Sequence, residues 1–116
     1  STSRSGSSIM KRGEVWLVQL GETFGHEQRG LRPAIILTDT LTSLVLIIPL
    51  TTNLKALRFP CTIQIEPTKR NGLETGSVAL IFHLRSIDKR RLIRAVGIIE
   101  KPVLQKIMRV IKQLFR

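Results

Sequence analysis

The sequence predicts a mainly β fold, a small and strongly curved sheet or partly open barrel with one helix packed on it. Three observations carry that prediction. Short apolar runs rich in Val, Ile and Leu recur between turn-forming clusters from Glu14 to Ile99. Beyond Pro102 the apolar residues switch to helical spacing. The chain has 116 residues, 42% of them hydrophobic, which suits one compact domain and leaves little room for a second.

The first nine residues, Ser1 to Ile9, are polar and aperiodic and read as a tag-like tail, leaving residues 10–116 as the single domain. Val15 to Leu20 is β-rich and apolar on both sides, as expected of a strand covered on both faces. Gly21 to Arg32 interrupts the pattern with three glycines and mostly polar residues. Pro33 then opens a second strand, Ala34 to Leu37, ending near Asp39. Leu44 to Ile48 is the third, with Pro49 and the polar Thr51-Thr52-Asn53 as its stop. Cys61 to Glu66 alternates apolar with polar and predicts a half-exposed strand. Ser77 to Phe82 reads as a buried strand, and Arg94 to Ile99 as the last. Asp88 is placed to cap a helical turn over Lys89 to Leu92.

The C-terminal helix starts at Pro102, a residue suited to the first helical position. Val103, Leu104, Ile107, Met108, Val110, Ile111, Leu114 and Phe115 form its apolar stripe, with Lys106, Arg109, Lys112 and Arg116 opposite. The count is thus five or six short strands and one amphipathic helix.

Charge narrows the function. Lys and Arg number 19 against 8 Asp and Glu, a net +11, which points to a polyanion or an acidic partner protein. One Trp, four Phe and no Tyr speak against a module that binds by stacking bases on exposed rings. The longest apolar run, Leu44 to Leu50, is far too short to span a membrane. The single Cys61 excludes an internal disulfide framework and a multi-cysteine zinc site, and reads as a small core residue; the expected compartment is the cytoplasm.

Three segments carry candidate chemistry. Gly25 to Pro33 is a long glycine-bearing connection of the kind that hosts binding on rigid sheets, or simply a solvated loop. Within it, Arg32 precedes a proline and is therefore held extended. Thr51, Thr52 and Asn53 end a buried strand with small polar side chains that either close a turn or hold a phosphate. Arg85-Ser86-Ile87-Asp88-Lys89-Arg90-Arg91-Leu92 is a cationic run suited to a nucleic-acid backbone, or to a solvated face.

Taken in order, these segments resemble the MazF/PemK-like toxins of toxin–antitoxin pairs. The resemblance begins at Arg12-Gly13-Glu14-Val15-Trp16-Leu17-Val18 and continues through Gly25-His26-Glu27-Gln28, Gly30 and Arg32-Pro33. Pro49-Leu50-Thr51 matches the strand-end motif and Arg85 to Leu92 the late one, so that nearly the whole chain from Lys11 is covered. It implies an SH3-like, partly open barrel of five to seven strands with a C-terminal helix. It also implies a homodimeric, metal-independent endoribonuclease that cuts single-stranded RNA, needs no cofactor and is silenced by an antitoxin, here expected to be acidic.

Arg32 and Thr51 match the family's catalytic arginine and threonine, and His26 stands where some members have histidine and others serine. Glu27, Gln28, Arg29, Thr52, Asn53, His83 and Arg85 lie in or beside the matching motifs and are the expected RNA contacts. Two positions depart from the pattern. Several members carry Asp or Glu where Phe82 stands, then Gln at His83, and one branch has a functional arginine at Leu80. The alternative is a non-catalytic member that binds RNA or a protein target such as a topoisomerase, as the similarly folded CcdB toxins do.

The residue chemistry agrees with strand cleavage by the RNA's own 2′-hydroxyl. Arginine offers a planar fork of donors to two phosphate oxygens and is too weak an acid to serve as a base. Imidazole is the neutral-pH proton acceptor, with His26 the first candidate and His83 the second. Eight scattered acids with no carboxylate pair do not suit a two-metal nuclease.

Overall fold

The structure, a computed structural model, describes residues 11–19, 31–40 and 42–115. The tail-like residues 1–9 and the loop residues His26, Glu27, Gln28 and Arg29 lie outside the described residues. The described chain forms seven strands and one helix. They are β1 (Glu14–Gln19), β2 (Leu31–Asp39), β3 (Leu44–Thr51), β4 (Thr62–Ile65), β5 (Ser77–Leu80), β6 (Arg85–Asp88), β7 (Leu92–Ile98) and α1 (Lys101–Leu114). All pairings are antiparallel, in the order β4-β5-β3-β2-β1-β7, with β6 also paired to β3. The sheet is curved and open, and the helix packs on one face, as the sequence predicts.

Runs that do not alternate have a simple cause: both faces of the central strands are covered. Ile35 and Leu37 of β2 join Ile48 and Leu50 of β3 in one buried cluster, beneath Ile107 of the helix. Their neighbours Ala34 and Ile36, with Val45 and Ile47, form a second cluster on the opposite face, flanked by Trp16 and Leu92. Burying large aliphatic side chains on both faces contributes about 1.5–3 kcal/mol each and fixes the register, since a slip by one residue would exchange the two faces.

The outer edge of β3 is shared. Leu44 to Ile47 pair with Asp88 to Arg85 of β6, and Leu50 and Thr51 pair with Ala79 and Val78 of β5. Strands β5 and β6 thus run as one interrupted strand along β3, and the interruption is a 3-10 turn, Ile81–His83. It falls opposite Ile48 and Pro49, which have partners only in β2. This corrects two expectations. Pro49 does not stop the third strand, because it sits where no outer strand calls for its missing N–H. The strand beginning at Ser77 ends at Leu80 rather than Phe82, because the chain leaves the sheet at this gap.

Other boundaries move for related reasons. Strand β2 begins at Leu31, two residues before Pro33, through pairing of Leu31 and Arg32 with Gln19 and Val18. The segment Arg85–Asp88, read as a cationic run, is a strand whose Ile87 enters the second cluster. Asp88 does cap a turn, Lys89–Arg91, its carboxylate accepting from the Arg90 amide. Cys61 immediately precedes β4 instead of lying in it, has a left-handed φ of 59°, and packs half-buried against the first cluster. Leu114 and Phe115, counted in the apolar stripe, are 40% and 71% exposed, because the last helical turn stands clear of the sheet. Among the described residues no helix is long and apolar enough to cross a membrane.

The turn before β5 is organised by Asn71, which is fully buried. Its Oδ1 accepts from the amides of Thr68 and Leu73, and its Nδ2 donates to the Glu66 carbonyl and to Glu100 Oε1. Gly72 beside it has φ +71°, and a Cβ there would lie 2.0 Å from the Val96 carbonyl oxygen. The turn is thereby pressed onto β7. Glu100, at the start of the helix, accepts from the Thr68 hydroxyl, which holds its carboxyl below the usual range against partial desolvation; Asn71 assists.

Asn71→Ala is therefore expected to destabilise the fold by about 2 kcal/mol or more, as two amides and a carbonyl lose their partner; urea unfolding reads this directly. Glu100 has its folded-state pKa depressed, so it stabilises the protein above the usual glutamate value of 4.5. That contribution is lost as pH falls through the lowered value, and Glu100→Gln should flatten this part of an acid-unfolding curve.

Candidate active site and nucleic-acid interface

Arg32 and Thr51 stand at the ends of adjacent strands. The register Ala34↔Pro49, carried two residues further along both strands, sets Arg32 level with Thr51. Strand alternation puts them on the face that carries Ala34, Ile36 and Ile47. A guanidinium and a hydroxyl thus continue the second buried row out to the surface. Arg32 is exposed and Thr51 half-buried. The Thr51 hydroxyl oxygen accepts from the Asn53 amide at 3.2 Å, leaving its own hydrogen to donate outward. Asn53 in turn caps the 3-10 turn Leu54–Arg58, its Oδ1 accepting from the Lys55 amide at 3.0 Å.

Beside Thr51 opens a cleft of about 350 Å³, lined by Thr51, Asn53, Lys55, Arg58, Phe59, Leu80, Phe82 and His83. Three of the expected site residues, Thr51, Asn53 and His83, meet there. Arg85 follows His83 by two residues, exposed at the start of β6. Thr52 faces the other way, into a larger cleft of about 710 Å³ bounded by Leu17, Pro33, Arg94 and the segment 72–77. The smaller cleft holds the chemistry-bearing side chains: two cations and an imidazole line it, and among the described residues no carboxylate does.

The late cationic run divides by role. Lys89 is 2.6 Å from Asp39, whose side chain is nearly buried, and its amide bonds the Ser43 carbonyl. Arg90 grips Asp88, and its guanidinium and then its amide hold that carboxyl below the usual range. Arg91 donates to the Gln19 carbonyl at 2.9 Å. Lys89 and Arg91 fasten this segment to distant parts of the chain and Arg90 closes a local pair with Asp88, so the run is mostly structural, with Arg85 at its outer end.

Reasoning from sequence missed Lys55, Arg58 and Phe59, which come from the turn between β3 and β4. Their signal was the mixture of cations and an aromatic directly after Thr51-Thr52-Asn53. The two departures from the family pattern, Leu80 and Phe82, both prove to be walls of the cleft.

The model of the PemK-like, MazF-like toxins of type II toxin–antitoxin systems matches residues 11–115. The chain belongs to this family. Among relatives of this PemK/MazF-like toxin, Endoribonuclease EndoA of Bacillus subtilis is 28% identical over 103 residues, covering 85% of this chain and 88% of the relative. Endoribonuclease MazF of Staphylococcus saprophyticus is 34% identical over 88 residues, 72% of each chain. The toxin chain is also similar to a solved MazE-MazF structure from Deinococcus radiodurans, with a TM-score of 0.73 and 25% identity over 92% of this chain and 96% of that one.

Proposed function

We propose that this toxin-family chain is an endoribonuclease. It cuts single-stranded RNA by attack of the 2′-hydroxyl on the adjacent phosphate, leaving a 2′,3′-cyclic phosphate and a 5′-hydroxyl. The feature that supports the reading most is the pairing of β2 with β3, which brings Arg32 and Thr51 to the ends of adjacent strands, with Thr51 lining a cationic cleft. The endoribonuclease names of its relatives support it.

In this reading Arg32 spreads its fork over two phosphate oxygens and stabilises the charge that develops on the phosphorane. The Thr51 hydroxyl, held by the Asn53 amide, donates to a phosphate oxygen and fixes its position. A histidine takes the proton of the 2′-hydroxyl, His26 in the first instance. Glu27, Gln28, Arg29, Thr52, Asn53, His83 and Arg85 flank the strand. The enzyme works in the cytoplasm as a homodimer, since one small domain offers little surface to a long single strand. A similarly folded endoribonuclease from a mycobacterial species is solved in complex with its cognate antitoxin, and a charge of +11 favours an acidic one here.

Incubating the protein with a long RNA in EDTA and mapping the ends of the fragments tests the reaction. Cleavage with cyclic-phosphate ends is expected; a need for magnesium, or 5′-phosphate ends, refutes it. Intact RNA that is nevertheless bound would make the protein a non-catalytic binder. In the same assay Arg32→Ala should slow the chemical step by about 10²-fold, whereas Arg29→Ala should weaken binding in a salt-dependent way. Activity should rise with pH as the base loses its proton. His26→Ala should abolish that rise and His83→Ala should preserve it; the reverse result moves the base to His83.

A further inference from the structure

The chain has few aromatic side chains, yet two of them stand together at the surface. Phe59 is 56% exposed and Phe82 42% exposed, with ring centroids 5.9 Å apart. The His83 ring lies against Phe82 at 4.6 Å, tilted by 36°. All three line the cleft that Thr51 enters, and Lys55 and Arg58 line it too. Rings left in water beside cations that have no carboxylate partner among the described residues are poorly placed for folding and well placed for a ligand with flat apolar faces and negative charge. Single-stranded nucleic acid is such a ligand: bases stack on aromatic side chains while phosphates meet cations. A strand whose phosphate meets Thr51 has this cleft beside it, because Thr51 lines it.

We infer that Phe82, backed by Phe59 and His83, is a stacking platform for a base close to the scissile phosphate, with Lys55 and Arg58 holding the phosphate beyond it. The inference rests on the endoribonuclease reading and adds a subsite to it. The fold explains why the platform is there. Phe82 and His83 belong to the turn that leaves the sheet opposite Pro49, so their rings are ejected from the β5–β6 line instead of being buried by it. A ring at position 82 offers a base a face, where a carboxylate would repel the phosphates around it. An RNA is favoured over an apolar peptide anchor because the lining combines rings with cations and, among the described residues, has no carboxylate.

The test uses the full chain and two probes measured by fluorescence anisotropy. One is a 12-nucleotide mixed-sequence RNA with 2′-O-methyl riboses, which cannot be cleaved through that hydroxyl. The other is polyglutamate, an acidic polymer without bases. Phe82→Leu, which keeps apolar bulk and removes the ring, should weaken RNA binding about tenfold or more, on the scale of one lost stacking contact. Phe82→Trp should retain it within about twofold, and both variants should bind polyglutamate like the unaltered protein. Lys55→Ala should weaken both probes.

The inference is overturned if Phe82→Leu binds the RNA normally, or if RNA and polyglutamate weaken together, which would mark a peptide or general anion surface. When the unaltered protein cleaves natural RNA and Phe82→Leu still binds normally, the platform alone fails. Should the unaltered protein neither cleave nor bind RNA, the endoribonuclease reading fails and the platform falls with it.

Discussion

Strand β3 gives one edge to β2 and divides the other between β6 and β5, and most of the molecule follows from that division. The outer partner changes at Ile48 and Pro49, which pair with neither β5 nor β6. Pro49 occupies this point, with no N–H to offer an outer strand. The chain opposite uses the gap to leave the sheet for one turn, carrying Phe82 and His83 to the surface, and returns as β6. Thr51 lies two residues beyond the gap. Strand end, cleft and exposed rings are thus parts of one local geometry.

Around that centre, the polar groups mostly serve to hold edges in place. Asn71 satisfies the backbone of the turn before β5 and links it to Glu100, so the start of the helix and this turn share one buried amide. Leaving any member of such a network without its partner is costly, because the group has already given up water. Gly13 performs a comparable task nearer the chain start. Its φ is +98°, its amide reaches the Ile36 carbonyl, and its carbonyl receives the Ile99 amide.

The cations show how charge is partitioned between folding and function. Lys89, Arg90 and Arg91 are committed to Asp39, Asp88 and the Gln19 carbonyl. Lys55 and Arg58 line a cleft with no carboxylate among its described residues. Screening weakens exposed charge pairs in salt, yet a phosphate chain meeting several cations at once gains by releasing its counterions. A net charge of +11 therefore overstates what faces a ligand at any one place, and the position of each cation matters more than the sum.

By itself the sequence determined the class of fold and most of its elements. Apolar runs bounded by Gly, Pro and Asn give strands, and helical spacing after Pro102 gives the helix, because both depend on local periodicity. Ordered motifs also gave the family, since Arg32-Pro33 and Pro49-Leu50-Thr51 are contiguous in the chain. Pairing between distant segments was not legible. Nothing local in Arg85 to Asp88 announces a strand, which exists because the first half of β3 offers it an edge. Nor does Phe82 announce its exposure, for an apolar residue at the end of an apolar run reads as buried until the gap opposite Pro49 is known. Register sets Arg32 level with Thr51, and the split edge of β3 brings Lys55, Phe59 and Phe82 together. Both are products of long-range hydrogen bonding, which only the tertiary structure decides.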